Sequence, residues 1–254
     1  MKKDTCYIGI CFFTLLLIVS IIMIAGYYIS EDKAEDDFNQ LIEMVEEAET
    51  KKSDTENEEV QSPLERYQEL FDMNNDMYGW ISIDGTNINY PVMYVPGEKD
   101  YYLKRNLKKE YSAYGVPYIA EHCDPVEPDD NVIIYGHHMK NGSMFSDLMK
   151  YDDKKFLLAQ KTFNFDSLTE TAMYEIIAVF KTTVYDDSGF KFYEFAKAQT
   201  KEEFDSYVAK CKELSLYETG VNAEYGDKLL TLSTCEYSRK NGRMVIVAKK
   251  VLAE

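Results

Sequence analysis

The chain opens on apolar positions that carry no period. From Tyr7 to Ile29, 23 residues pass without a charge. Wound as a helix, that run is about 34 Å long at ~1.5 Å per residue, enough to cross a hydrocarbon core of ~30 Å. A cleaved signal peptide would want a shorter apolar core and an A-x-A-like site; before Gly26 the chain reads Met23-Ile24-Ala25. The pattern predicts an uncleaved signal anchor at 7–29 behind a short tail, 1–6. Lys2 and Lys3 precede it, and Glu31, Asp32, Glu35, Asp36 and Asp37 follow. The positive-inside rule then places the tail in the cytoplasm and everything after residue 30 outside.

Beyond the anchor, Phe38, Leu41, Ile42 and Val45 recur at i, i+3, i+4, i+7, the stripe of an amphipathic helix. Thr50 to Ser62 shows no apolar period and reads as a linker, so 30–62 forms a tether. Pro63–Met73 predicts a helix with Ser62 as N-cap and Pro63 at its first position. The period then changes to two. Trp80-Ile-Ser-Ile-Asp and Asn87–Tyr94 flank Gly85 as a hairpin. Further strands are expected at Val116–Ala120, Asn131–Tyr135, Ala172–Val184, Lys228–Thr234 and Met244–Lys250, with helices near Met144–Lys150 and Thr200–Leu216. Many short strands with few helices predict a mainly β domain with helices (α+β) over 63–254, an antiparallel-rich barrel or sandwich.

Charge sharpens the picture. The net charge of −17 argues against a nucleic-acid partner, which would need a basic footprint. The tether alone holds 13 Asp or Glu against Lys33, Lys51 and Lys52. That composition suits a solvated spacer. The five cysteines, Cys6, Cys11, Cys123, Cys211 and Cys235, show no C-x-x-C or metal-ligand spacing. This argues against both a disulfide framework and a zinc site.

Two places could carry chemistry. Leu229-Leu-Thr-Leu-Ser-Thr-Cys235 alternates and ends on a thiol; Arg243 opens the next strand after the Asn241-Gly242 turn signal. So short a connection makes the strands antiparallel neighbours, with Cys235 and Arg243 at one rim and Ser233 on the face of Cys235. A nearby cation favours the thiolate, the nucleophilic form; a strand-end Cys can equally be a small buried hydrophobe. The second place is Asn131-Val-Ile-Ile-Tyr-Gly-His-His-Met. It puts His137 and His138, two of the three histidines, just past a buried strand. A histidine beside a cysteine is the usual pair for nucleophilic catalysis, whereas His-His in a loop can also be a solvated turn. His122 reads as a loop residue, and Cys123 and Cys211 as structural.

Thr-Leu-Ser-Thr-Cys235 with Arg243, preceded by Tyr135-Gly-His-His-Met, resembles a class B sortase. Gly79-Trp-Ile-Ser-Ile, Tyr90-Pro-Val, Gly142-Ser-Met-Phe and Phe180-Lys-Thr-Thr agree, and the resemblance covers about residues 63–254. It implies an eight-stranded barrel behind a membrane anchor and tether, on the outer face of a Gram-positive membrane. It implies a cysteine transpeptidase that cleaves a C-terminal sorting motif at Thr and passes the acyl group to a peptidoglycan-precursor amine, without metal or organic cofactor. By the same resemblance Cys235 is the nucleophile, His137 the acid/base, and Arg243 the partner of substrate or oxyanion. Tyr135, Ser233, Thr234 and Glu236 fall in or beside the substrate groove. Two rivals fit less well. A papain-like hydrolase has Cys before His and places its nucleophile at a helix start. A tethered binding module would be expected to lose one of the three groups.

Overall fold

The computed structural model describes residues 2–53, 62–126, 129–185 and 189–251. The chain divides into two compact units, Met1–Glu43 and Met44–Glu254. Helix α1 runs Lys2–Ser53, so regular structure continues past the expected start of the linker at Thr50; the rest of that linker, 54–61, lies outside the described residues. Among the described residues no helix is long and apolar enough to cross a membrane. Within the uncharged run, the side chains of residues 8, 9, 11 and 27 fall outside the description. The anchor expected at 7–29 is therefore not shown by the described residues.

Helix α2, Pro63–Met73, starts as its sequence dictates. Ser62 Oγ accepts from Glu65 N (3.3 Å) while Glu65 Oε2 accepts from Ser62 N (3.0 Å), a reciprocal capping box behind Pro63. Its buried residues are Tyr67 and Leu70. Burial of each stabilises the helix by about 1.5–3 kcal/mol. The Tyr67 ring stacks on Trp80 at 5.8 Å, and its hydroxyl donates to Asp166 (2.9 Å), beside Arg66 Nη1 on the same oxygen (3.1 Å). These contacts fasten α2 to the sheet.

Eight strands follow: β1 Met77–Ser82, β2 Asn89–Met93, β3 Tyr118–Ile119, β4 Asn131–Tyr135, β5 Thr162–Ser167, β6 Met173–Thr183, β7 Leu229–Glu236 and β8 Gly242–Lys250. They close into one barrel in the order β1-β2-β3-β4-β7-β8-β6-β5. The closed barrel decides between the two architectures left open by sequence. The β1–β2 hairpin forms as expected around Gly85, whose φ of 72° suits a residue without Cβ. β5 was not anticipated, nor was the short helix α3, Lys154–Ala159. Antiparallel pairs dominate, but β2–β3 and β4–β7 are parallel.

β7 and β8 are buried nearly throughout, Leu230, Leu232, Val245, Ile246 and Val247 completely. Strands covered on both faces read as apolar runs and lose clean alternation. Next to them, helix α4, Lys201–Leu214, covers β6. Its buried residues Phe204, Tyr207, Val208 and Cys211 stand at helical spacing. A 3-10 helix at Phe145–Asp152 packs against β7 and β8, where an ordinary helix was expected near Met144–Lys150.

Candidate active site

Cys235 and Arg243 face each other directly across the antiparallel β7–β8 ladder. On the other side of β7, Tyr135 pairs with Ser233 at the last rung of the parallel β4–β7 ladder. The pairing carries on past the strand ends: Gly136 N donates to Ser233 O (3.2 Å), and Thr234 Oγ1 donates to Gly136 O (2.8 Å). A Cβ at Gly136 would stand 2.4 Å from the buried Phe145 ring, so the chain needs glycine there to enter the His-His segment. Phe145 N in turn donates to His137 O (2.8 Å). Cys235, His137 and Arg243 thus sit on three neighbouring strand ends.

All three line one cleft of about 550 Å³, together with Tyr135, Ser233 and Thr234. Cys235 is partly exposed. Ser233 Oγ is buried with no hydrogen-bond partner among the described residues. Glu236, next to Cys235, does not itself line the cleft. Its side chain is buried and accepts from Ser238 N (2.9 Å) and Ser238 Oγ (2.7 Å). Burial alone would raise this carboxyl, but the Ser238 hydrogen bonds, with Lys181 and Arg239 nearby, hold it below the ordinary carboxylate range.

The histidines take separate places. His137 Nε2 lies 2.7 Å from Leu103 O. A carbonyl oxygen only accepts, so Nε2 carries the proton and Nδ1 is the nitrogen left to exchange one. His138 is absent from the cleft lining, and its Nδ1 lies 2.8 Å from Cys235 O. Arg243 Nη1 donates to Gly242 O (2.9 Å), and its guanidinium carbon is 5.9 Å from the Tyr185 ring centre. That leaves further N–H groups of the fork for a ligand.

The rest of the lining includes Tyr118 of β3, Leu103, Phe192 and Glu194 of two short 3-10 helices, and Glu121 and Tyr185 between elements. Tyr118 donates to Asp100 Oδ1 (2.7 Å) and its ring lies 5.7 Å from that of Tyr135, which fixes this part of the lining to β4. No period or short-range spacing links these positions. Tyr185 stands at φ 64°, an uncommon conformation for a non-glycine residue. The other two cysteines of this unit are buried thiols, each pushed up to about 12 chiefly by burial. Both are packed within the fold.

The sortase domain family matches residues 81–251. Sortase B of Listeria monocytogenes is 36% identical over 241 residues, covering 93% of this chain and 94% of that protein. A Staphylococcus aureus sortase B–substrate complex superposes with a TM-score of 0.76 over 89% of this chain and all of that one; at 24% identity it speaks for the fold. A sortase B of Bacillus anthracis, solved in complex with AAEK1, gives a TM-score of 0.73 at 31% identity, over 88% of this chain and 99% of that one. Barrel order, cleft and sequence agree, and the chain belongs to the sortase family, in class B.

Proposed function

We propose that the protein is a membrane-anchored cysteine transpeptidase that cleaves a C-terminal sorting motif at Thr and joins the acyl group to a cell-wall peptidoglycan amine. The observation that carries this reading is the meeting of Cys235, His137 and Arg243 in one cleft, from three strand ends of the barrel.

The Cys235 thiolate attacks the Thr carbonyl carbon and a C–S bond forms. The carbonyl oxygen takes the electron pair and accepts from the Arg243 guanidinium, a preorganised donor for the developing charge. The C–N bond then breaks and protonated His137 gives its proton to the departing amine. This leaves a thioester. The precursor amine attacks it, His137 takes up the proton, and the C–S bond breaks to regenerate the thiolate. Tyr135, Ser233 and Thr234 border the bound peptide.

The anchor reading draws support from α1. Large apolar side chains from Phe12 to Ile24 are exposed around the helix, an arrangement that water disfavours and lipid does not. Thr14 and Ser20 donate to Ile10 O and Leu16 O of their own helix, so they need no outside partner in hydrocarbon. With the tail inside, the barrel faces the cell wall.

The test uses the full chain in detergent micelles, mixed with fluorogenic peptides carrying different sorting motifs, with and without triglycine. Cleavage of one motif, faster with the added amine and absent in Cys235→Ala, is expected. Cleavage of none, or equal cleavage by Cys235→Ala, would overturn the reading. Resistance of the chain to alkaline-carbonate extraction from membranes tests the anchor separately.

A further inference from the structure

β4 ends at Tyr135 and β7 runs on to Glu236, so the carbonyls of β7 beyond Ser233 have lost their strand partner on that side. Side-chain contacts continue the join, and one of them reaches a β7 carbonyl. Thr234 Oγ1 reaches Gly136 O at 2.8 Å, and the ring of His138 reaches Cys235 O at 2.8 Å. The carbonyl can only accept, so His138 Nδ1 bears the hydrogen in this contact.

His138 is itself held in place. Tyr237 Oη donates to His138 O at 3.0 Å, and the two rings lie 4.9 Å apart. His138 also bridges to Met144. The residues 137–138 and 235–237 are therefore cross-linked by hydrogen bonds running in both directions. Cys235 is gripped on one flank by Arg243 through the β8 ladder and on the other by His138.

We propose that His138 is a positioning residue of the transfer reaction: its Nδ1–H holds the main-chain carbonyl of Cys235 and thereby sets where Sγ stands in the cleft. The inference rests on Cys235 being the nucleophile. It divides the labour of the adjacent histidines. His137 lines the cleft and exchanges a proton; His138 lies behind the thiol and supplies a fixed donor. An attacking atom misplaced by about 1 Å can cost 10²-fold in rate, so a donor that never touches substrate still affects turnover.

The donor's place on the ring makes the proposal testable. An Asn side chain puts its amide nitrogen where His Nδ1 stands; Gln puts its own where Nε2 stands. In the full chain in micelles, His138→Ala and His138→Gln are expected to lower kcat by about tenfold or more, with KM held within about twofold. His138→Asn should recover kcat to within about threefold of the wild type. Tyr237 is 68% exposed, so Tyr237→Ala can be made without a core defect; it should lower kcat several-fold with Tm unchanged. Wild-type kcat in His138→Ala, or in Tyr237→Ala, overturns the proposal. So does His138→Asn performing no better than His138→Gln at equal Tm. A Cys235→Ala enzyme that still turns over is a different failure: it removes the nucleophile reading, whatever the His138 variants do.

Discussion

Arg243 is the direct cross-strand partner of Cys235, and the next rung pairs Glu236 with Gly242. Directly opposed side chains leave Cβ atoms about 4.5–5.5 Å apart, so the guanidinium works from a fixed base beside the thiol. Gly242 cannot carry a side chain there, because its Cβ would stand 2.4 Å from Glu236 O. The tight turn between the strands keeps the pair in register.

The proposed donor role of Arg243 depends on a planar fork, which Lys lacks. Arg243→Lys is expected to lower kcat/KM by about 10²-fold or more, the scale of removing one oxyanion donor. The pH dependence of Cys235 alkylation should change little. If a point charge beside the thiolate were all that mattered, Lys would keep most of the turnover.

Thiol reactivity should separate the cysteines of the barrel. Cys123 and Cys211 are buried and pushed up to about 12, so both stay protonated near neutral pH. Iodoacetamide at neutral pH should modify Cys235 first and inactivate the enzyme in step, with Cys123 and Cys211 reacting on unfolding. Peptide mapping by mass spectrometry reads this out. Cys123→Ala and Cys211→Ala should retain turnover.

His137→Ala should lose about 10²–10⁴-fold in kcat, the usual span of general acid–base catalysis. The loss should be far deeper than in any His138 variant. Steady-state assays with one peptide rank them, and a deeper loss at His138 would reverse the assignment.

Glu236 predicts a pH-dependent stability effect. Its folded-state carboxyl is held below the ordinary range, so its contribution is present above the unfolded value and is lost as pH falls through the folded one. Ser238→Ala removes one of the two Ser238 hydrogen bonds and raises the folded value. The variant should be destabilised by about 1–2 kcal/mol at pH 7, with the gap shrinking toward pH 3. Urea unfolding at the two pH values measures it; a gap that widens in acid would contradict this sign.

Much of the site's frame was legible in the residues. A turn signal at Asn241-Gly242 and alternation up to Cys235 put the thiol and Arg243 on neighbouring strands, where the structure places them. The β1–β2 hairpin was legible for the same reason: both partners are close in sequence. The parallel pairs were not, since β4 and β7 meet across a long stretch of intervening chain and no local pattern encodes that meeting. β5 hid behind its polar positions. Asp166 breaks its apolar look, yet it is buried, with Tyr67 and Arg66 as partners. Glu236 is a different case. The resemblance alone suggested it, as an acidic residue after the nucleophile, and in the structure its carboxylate accepts from Ser238.

The parallel β4–β7 register also constrains how the protein reaches its native state. Closing a parallel pair of such wide sequence separation costs loop entropy before any contact repays it, and such contacts form late. The thiol of β7 therefore meets the histidine that follows β4 only when the barrel shuts. A chain caught before this pair closes, or cut between β4 and β7, keeps Arg243 beside its cysteine on the β7–β8 hairpin but has no His137 there. Without that histidine the departing amine has no proton donor, so acyl transfer waits on closure of the barrel.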